Sequence, residues 1–363
     1  MTREELQANA AEILEREKRV VCQWATGTGK SNVALLFLKN HPDKTCLILV
    51  PEQNNIENWI NEFDKFNVSL QNVTIMCYAS FHKTSNTKWD LIVFDEVPHL
   101  DTEKRRLISE SVSGEYILAL GAIIDDQEMY ALQSAYGKFT VLTVSLKKAI
   151  DWGILSAPKI VLCHIKFNDS LRNFWHKGKL YTEKELYTFY QNKTEQAVKS
   201  YNLSPNQFTK RQMLQAGNAR KKFLGARKES TVRIICQRLI AENKRFLCFC
   251  SSIEQAKSLG GDNAFTSKTP KSENLLSKFN NHEIDSLFVV GKLIEGQNLK
   301  DIEVGIITQL GGTSRITVQE IGRILRGKNP VIYIPVFDGT KDDSFLYTVT
   351  SNIPESYIKH LNF

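Results

Sequence analysis

The sequence predicts an α/β protein built on two parallel sheets with helices on both faces. Three observations carry that expectation. Short β-branched runs recur along the chain: RVVCQW, TCLILV, NVTIMCY, DLIVF, YILAL, KIVLCHI, RFLCFC, SLFVV, VGIITQ and VIYIPV. They are nearly continuous in apolar residues and alternate with amphipathic stretches long enough for helices, the pattern of strands covered on both faces. A chain of 363 residues is also longer than one compact core usually serves. The strands therefore divide into two α/β sandwiches of about five each. Gly153 and Pro158 interrupt the periodicity within DWGILSAPK, Asp151 to Lys159, which marks the boundary. A first domain is expected over 1–155 and a second over 156–363.

Composition narrows the class. A hydrophobic fraction of 42% with 10% aromatics is that of a folded chain rather than a disordered one. No run approaches the roughly 18 apolar residues of a membrane span, so no membrane association is expected. The opening MTREELQANAAEILEREKR is charged and alternating, without the apolar centre of a signal peptide. The expected location is the cytoplasm, that of the host if the chain is phage-encoded. The seven cysteines include no CxxC pair. Cys248 and Cys250 read as one face of a buried strand, so a reduced structural role is expected ahead of a disulfide or a zinc site.

The stretch ATGTGKS follows the first strand and precedes the run NVALLFLK. Strand, glycine-rich turn and helix in that order form the context of a phosphate-binding loop. Thr26, Gly27, Thr28 and Gly29 would present backbone N–H groups to phosphate oxygens, and the start of the next helix adds its dipole. Lys30 would reach the β- and γ-phosphates of ATP, and Ser31 would ligate Mg2+. The strict pattern wants glycine where Trp24 stands; the plain alternative is a glycine turn before an amphipathic helix. In DLIVFDEVPHL, four apolar residues deliver Asp95 and Glu96 to a strand's carboxyl end. Asp95 would hold Mg2+, and Glu96 would orient and deprotonate the attacking water.

With these motifs placed, the chain resembles a superfamily 2 helicase or translocase, and more narrowly the DExH-type motors of restriction enzymes and phage helicases. QEIGRILR, Gln319 to Arg326, fits the family's QxxGRxxR motif VI. Gln319, Arg323 and Arg326 would share one helix face, with Arg323 and Arg326 as candidate arginine fingers. The resemblance implies two tandem RecA-like domains with ATP between them. It makes Gln7 the reader of adenine, against the alternative of a solvent-facing helical glutamine. LVPEQNNIENWINEF resembles motif Ia, whose Pro51 would meet the nucleic-acid backbone, while Trp59 reads as core. CYASF resembles motif Ib or Ic, FCSSIEQAKSL motif IV, and GKLIEGQNL motif V, where Gly296 and Asn298 would link the ATP site to the strand groove. Two departures stand out. Pro98 occupies the family's first histidine position, with His99 following, and LALGAII carries Gly121, Ala122 and Ile123 where motif III has hydroxyls. ATP turnover should survive the second change better than processive unwinding.

The segment from about Phe167 to Ala216 has no family counterpart, and about 167–228 reads as a helical, basic insertion in the second domain. From Lys166 to Glu229 the charge balance is +9, within a chain whose net charge is +7. A local basic block points to a polyanion partner. Its lysines and arginines alternate with Phe174, Trp175, Tyr181, Tyr187, Phe189, Tyr190, Tyr201 and Phe208. Exposed aromatics of such a block can stack on bases, although each one singly reads as core. GNARKKFLGARK is the densest patch, and Arg220, Lys221, Lys222 and Arg227 are the candidate backbone contacts. The leading expectation is a nucleic-acid-stimulated ATPase that translocates on or unwinds DNA, with DNA ahead of RNA. It would act as a monomer, with protein partners in replication, recombination or restriction. The alternatives are an ATP-gated clamp that does not unwind processively, and a regulatory NTPase acting on protein.

Overall fold

The computed structural model describes residues 1–97, 109–267, 272–290, 299, 302–310, 329–350, 353 and 355–363. Met1–Ala157 forms one compact unit, and the described residues from Pro158 onward form a second.

The first unit runs α1 (Arg3–Glu17), β1 (Arg19–Trp24), α2 (Asn32–Asn40), β2 (Cys46–Val50), α3 (Gln53–Phe66), β3 (Val73–Cys77), β4 (Lys88–Asp95), β5 (Ser113–Gly121), α4 (Asp126–Tyr136), β6 (Thr140–Val144) and α5 (Leu146–Asp151). Its sheet has the order β3-β2-β4-β5-β1-β6, with parallel pairing throughout. Because side chains alternate across a strand, neighbouring residues feed opposite cores. Val20, Cys22, Ile48, Val50, Leu91 and Val93 pack under α1, α2 and α3. Val21, Leu47, Leu49, Ile92 and Phe94 join Leu132 and Tyr136 of α4 on the other face. This double burial is why the strands read as unbroken apolar runs. Helix α1 starts with a capping box, Thr2 and Glu5 each bonding the other's backbone N–H, which satisfies two orphan donors.

The second unit runs β7 (Lys159–Ile165), β8 (Phe174–His176), β9 (Lys179–Tyr181), α6 (Glu183–Leu203), α7 (Gln207–Arg227), α8 (Glu229–Ala241), β10 (Phe246–Cys250), α9 (Ile253–Gly260), β11 (Ala264–Phe265), α10 (Ser272–Asn280), β12 (Ser286–Val290), β13 (Val304–Ile307), β14 (Val331–Phe337), α11 (Lys341–Thr350) and β15 (Ile358–Asn362). Its parallel sheet has the order β11-β12-β10-β13-β14-β7-β15, and β8 and β9 pair apart from it as an antiparallel hairpin. Every predicted strand is present. Among the described residues the sheets hold six and seven strands rather than about five because β6, β11 and β15 were not legible. All three are edge strands. β6 and β15 are half exposed and carry polar residues, and β11 has only two residues.

The basic insertion is the β8–β9 hairpin followed by the antiparallel pair α6 and α7. Its end is fastened to the sheet by a buried polar network. The Lys228 ammonium, fully buried, lies 2.7 Å from Asp342 Oδ2 and donates to Gln309 Oε1 at 2.9 Å. Gln309 in turn donates to Asp342 Oδ1 at 2.7 Å, and the Phe337 N–H donates to Asp342 Oδ2 at 3.1 Å. Beside it, Gln255 donates to the Gly225 carbonyl at 2.7 Å. Gly225 lies so close to Ser251 that a Cβ would stand 2.1 Å from its Oγ, so the end of α7 abuts the loop after β10. The buried cysteines of this unit are free thiols.

Breaking such a pair strands a buried charge. Lys228→Met should destabilise the protein by about 3–5 kcal/mol, read from the urea midpoint by circular dichroism. Adding Asp342→Leu should recover most of that loss, because no charge is then left behind.

Candidate nucleotide site

Parallel strands end on one edge of their sheet, and the first unit's candidate residues gather there. After β1 the loop turns through Gly27 and Gly29, at φ of 90° and 80°, where side chains are disfavoured. The constraint at Gly29 is double, because a Cβ would lie 2.3 Å from Gln7 Nε2. Thr28 Oγ1 donates to the Ala25 carbonyl at 2.8 Å, and Lys30 Nζ donates to the Trp24 carbonyl at 3.1 Å. Trp24, the departure from the strict loop pattern, sends a fully buried side chain into the core, while its carbonyl serves Lys30. Two hydroxyls are uncommitted. Ser31, at the N-cap of α2, makes no side-chain capping bond, and Thr26 Oγ1 is buried with no hydrogen-bond partner. A buried orphan hydroxyl inside a glycine-turned loop suits a phosphate group.

Gln7 sits on the apolar face of α1 with Leu6, Ala10, Ala11 and Leu14. Its amide donates to the Thr28 carbonyl at 3.2 Å and the Gly29 carbonyl at 3.1 Å, and accepts from Asn32 Nδ2 at 3.3 Å. Gln7 therefore braces the glycine-turned loop. The visible signal was a glutamine falling among the apolar positions of its helix.

Asp95 is the last residue of β4. Trp59 of α3, expected only as core, is buried and also donates its indole N–H to Asp95 Oδ2 at 2.9 Å. Tyr78 donates to the Asp95 carbonyl at 3.0 Å. Burial, and then the neighbouring Glu96 charge, push the Asp95 carboxyl up to about 6, while the indole bond and the Lys30 charge pull it down. Glu96 has φ of 53°, a left-handed backbone that costs a non-glycine residue of order 1–3 kcal/mol. The strain falls on the residue expected to handle the attacking water.

The same edge carries Pro51, immediately after β2, and the 3-10 turn Tyr78–Thr84 after β3. It also carries Gly121 at the end of β5, where a Cβ would stand 2.8 Å from Ile124 Cγ1. Gly121 thus abuts the apolar side chain of Ile124. Gly296, Asn298, Gln319, Arg323, Arg326, Pro98 and His99 lie outside the described residues. In the insertion, Arg220 is half buried and donates to Gln191 Oε1 at 2.8 Å. Arg227 lies over the rings of Phe174 and Phe223, at 4.8 and 6.0 Å from their centroids. Both arginines are engaged in packing the insertion. Lys222 is exposed and Lys221 half buried.

Each unit is built on a parallel sheet, and the first carries a glycine-turned loop and an acidic pair on one edge. Comparison with known proteins gives three similarities. Residues 2–126 match the family "Type III restriction enzyme, res subunit". Over 356 residues the chain is 26% identical to DNA 3'-5' translocase XPB2 of Sulfurisphaera tokodaii, covering 89% of this chain and 78% of that protein. The fold is similar to that of the Pyrococcus furiosus Hef helicase domain, with a TM-score of 0.58 at 13% identity over 95% of this chain and 97% of that one. The chain is thus similar to a restriction-enzyme subunit family over residues 2–126, to a DNA translocase in sequence and to a helicase domain in fold.

Gly29→Ala should weaken binding of a fluorescent ATP analogue by at least about tenfold, since its backbone strain adds to the collision with Gln7. Adding Gln7→Ala should restore only part of the affinity, because the collision goes and the strain stays.

Proposed function

We propose that the chain is a nucleic-acid-stimulated ATPase that couples ATP hydrolysis to translocation along DNA. The observation that carries the proposal is the convergence of Lys30, Ser31, Asp95 and Glu96 at the strand ends of one sheet. The similarity to a protein named as a DNA translocase supports the choice of track. RNA is the less favoured track. The division of labour follows the expected domains, 1–155 for the nucleotide and 156–363 for its completion.

Thr26, Ser31 and the loop amides would hold the phosphates, with Lys30 leaving the Trp24 carbonyl to reach the β- and γ-oxygens. Ser31 and Asp95 would hold Mg2+, which takes few carboxylates and completes its shell with phosphate and water oxygens. The donor set fits, with one carboxylate held by an indole and one hydroxyl uncommitted. When bound, the ion would neutralise phosphate charge. Glu96 would accept the proton of the attacking water. Gln319, Arg323 and Arg326 are proposed to stabilise the charge that develops on transfer. Pro51, Lys221 and Lys222 are the proposed backbone contacts, with Arg220 and Arg227 fixing the helices that present them.

An ATP-gated clamp is the second reading, favoured by one observation: Gly121 and Ile124 pack where coupling hydroxyls would stand. It would hydrolyse ATP yet move no strand.

Steady-state ATP hydrolysis with Mg2+ should rise on adding DNA and vanish in Lys30→Ala; hydrolysis that no nucleic acid changes would overturn the proposal. Asp95 binds a cation only when ionised, so its contribution should be lost as pH falls through about 6. Trp59→Phe removes a bond to the charged carboxylate, a loss that costs roughly tenfold in strength. The variant should need more Mg2+ for half-maximal rate, and its acid limb should move to higher pH.

A further inference from the structure

The antiparallel hairpin at the start of the insertion has one face committed and one face bare. Its turn is a two-residue loop, Lys177 and Gly178, at φ of 46° and 79°, the positive-φ pair that matches strand twist. Alternation across β8 and β9 then sorts the side chains. Phe174, His176 and Tyr181 face the helices, and Trp175 pairs with Leu180 on the opposite face.

The inner face is fully used. The His176 ring centroid lies 4.9 Å from that of Phe189 and 5.6 Å from that of Tyr190. Tyr190 meets Phe223 of α7 at 5.4 Å, and Arg227 covers Phe174. Rings from the hairpin, α6 and α7 thus form one cluster that fixes the hairpin in place. The outer face has nothing of the kind. Trp175 is 70% exposed and Leu180 48%, whereas Trp24 and Trp59 are buried and Trp89 and Trp152 half buried. The hairpin FWHKGKLY has no acidic residue; Lys179 pairs with His176 on the inner face, Lys177 Nζ lies 5.4 Å from the Phe189 ring centroid, and the segment from Lys166 to Glu229 carries a balance of +9.

We infer that Trp175 is a stacking platform for an unpaired nucleobase, set in a basic segment that draws the phosphate backbone. A hairpin fixed by its inner face presents the indole at little cost in freedom when a base settles on it, and the positive balance of the segment complements a phosphate backbone. The ligand class is single-stranded nucleic acid. A duplex offers no free base face, so it does not suit this site. The inference rests on the nucleic-acid reading above but singles out one residue and one strand state.

Intrinsic tryptophan fluorescence of the full chain, titrated with oligothymidylate, oligouridylate and a blunt DNA duplex, tests it. Either single strand should quench the emission, and the stronger of the two names the polymer. Trp175→Ala should abolish the quenching and weaken single-strand affinity roughly tenfold, with duplex affinity and the thermal unfolding midpoint unchanged. Trp175→Phe should keep most of the affinity, because a ring remains. Equal single-strand affinity in wild type and Trp175→Ala, with both still binding, would overturn this inference alone. A wild-type chain that binds no nucleic acid would overturn this inference and the proposed function together. A concentration-dependent dimer that Trp175→Ala dissolves would show the face to be covered by a second copy, and would overturn it too.

Discussion

Parallel pairing is the constraint from which the remaining features follow. When every strand of a sheet runs the same way, every strand ends on the same edge. β1 delivers the glycine loop there, β2 delivers Pro51, β4 delivers Asp95 and Glu96, and β5 delivers Gly121. β5 alone stands between β4 and β1 in the sheet, which is why the Lys30 charge acts on the Asp95 carboxyl. Parallel strands also require crossover helices, and one of these, together with the helix that precedes β1, supplies the braces. Gln7 comes from α1 and Trp59 from α3, each a buried side chain whose polar atom is spent on the site.

The second unit shows the same economy applied to an added element. An insertion of two long helices and a hairpin gains little unless it is rigid. Lys228, Gln309 and Asp342 tie its end to the sheet, and a cluster of rings ties the hairpin to the helices. Packing consumes Arg220 and Arg227, two of the cations that look most available in the sequence. The charge block is real, but part of it holds the insertion together.

Much of the fold was legible because double burial writes itself as continuous apolar runs. VVCQ, CLILV and LIVF could be assigned without reference to their neighbours. The edge strands were not, since TVLTV and IKHLN each keep a wet side and a polar pattern. The glycine turn after β1 and the acidic pair at the end of β4 were legible from spacing. The roles of Gln7 and Trp59 were only half so. A sequence shows that each falls on an apolar face, but not which backbone atom or carboxylate meets it there. The aromatics of the insertion were legible as a group and not one by one. Only pairing in the hairpin separates Phe174, which is packed, from Trp175, which is not.

The central claim is that ATP turnover at this sheet edge moves the chain along DNA. Displacement of a third strand from a DNA triplex, in ATP and Mg2+, tests it most directly, with Glu96→Gln as the comparison. The account predicts ATP-dependent displacement by the wild-type chain and none by Glu96→Gln, which should still bind both ATP and DNA. Brisk DNA-stimulated hydrolysis with no displacement from either end of the triplex would contradict it, leaving an ATP-gated clamp.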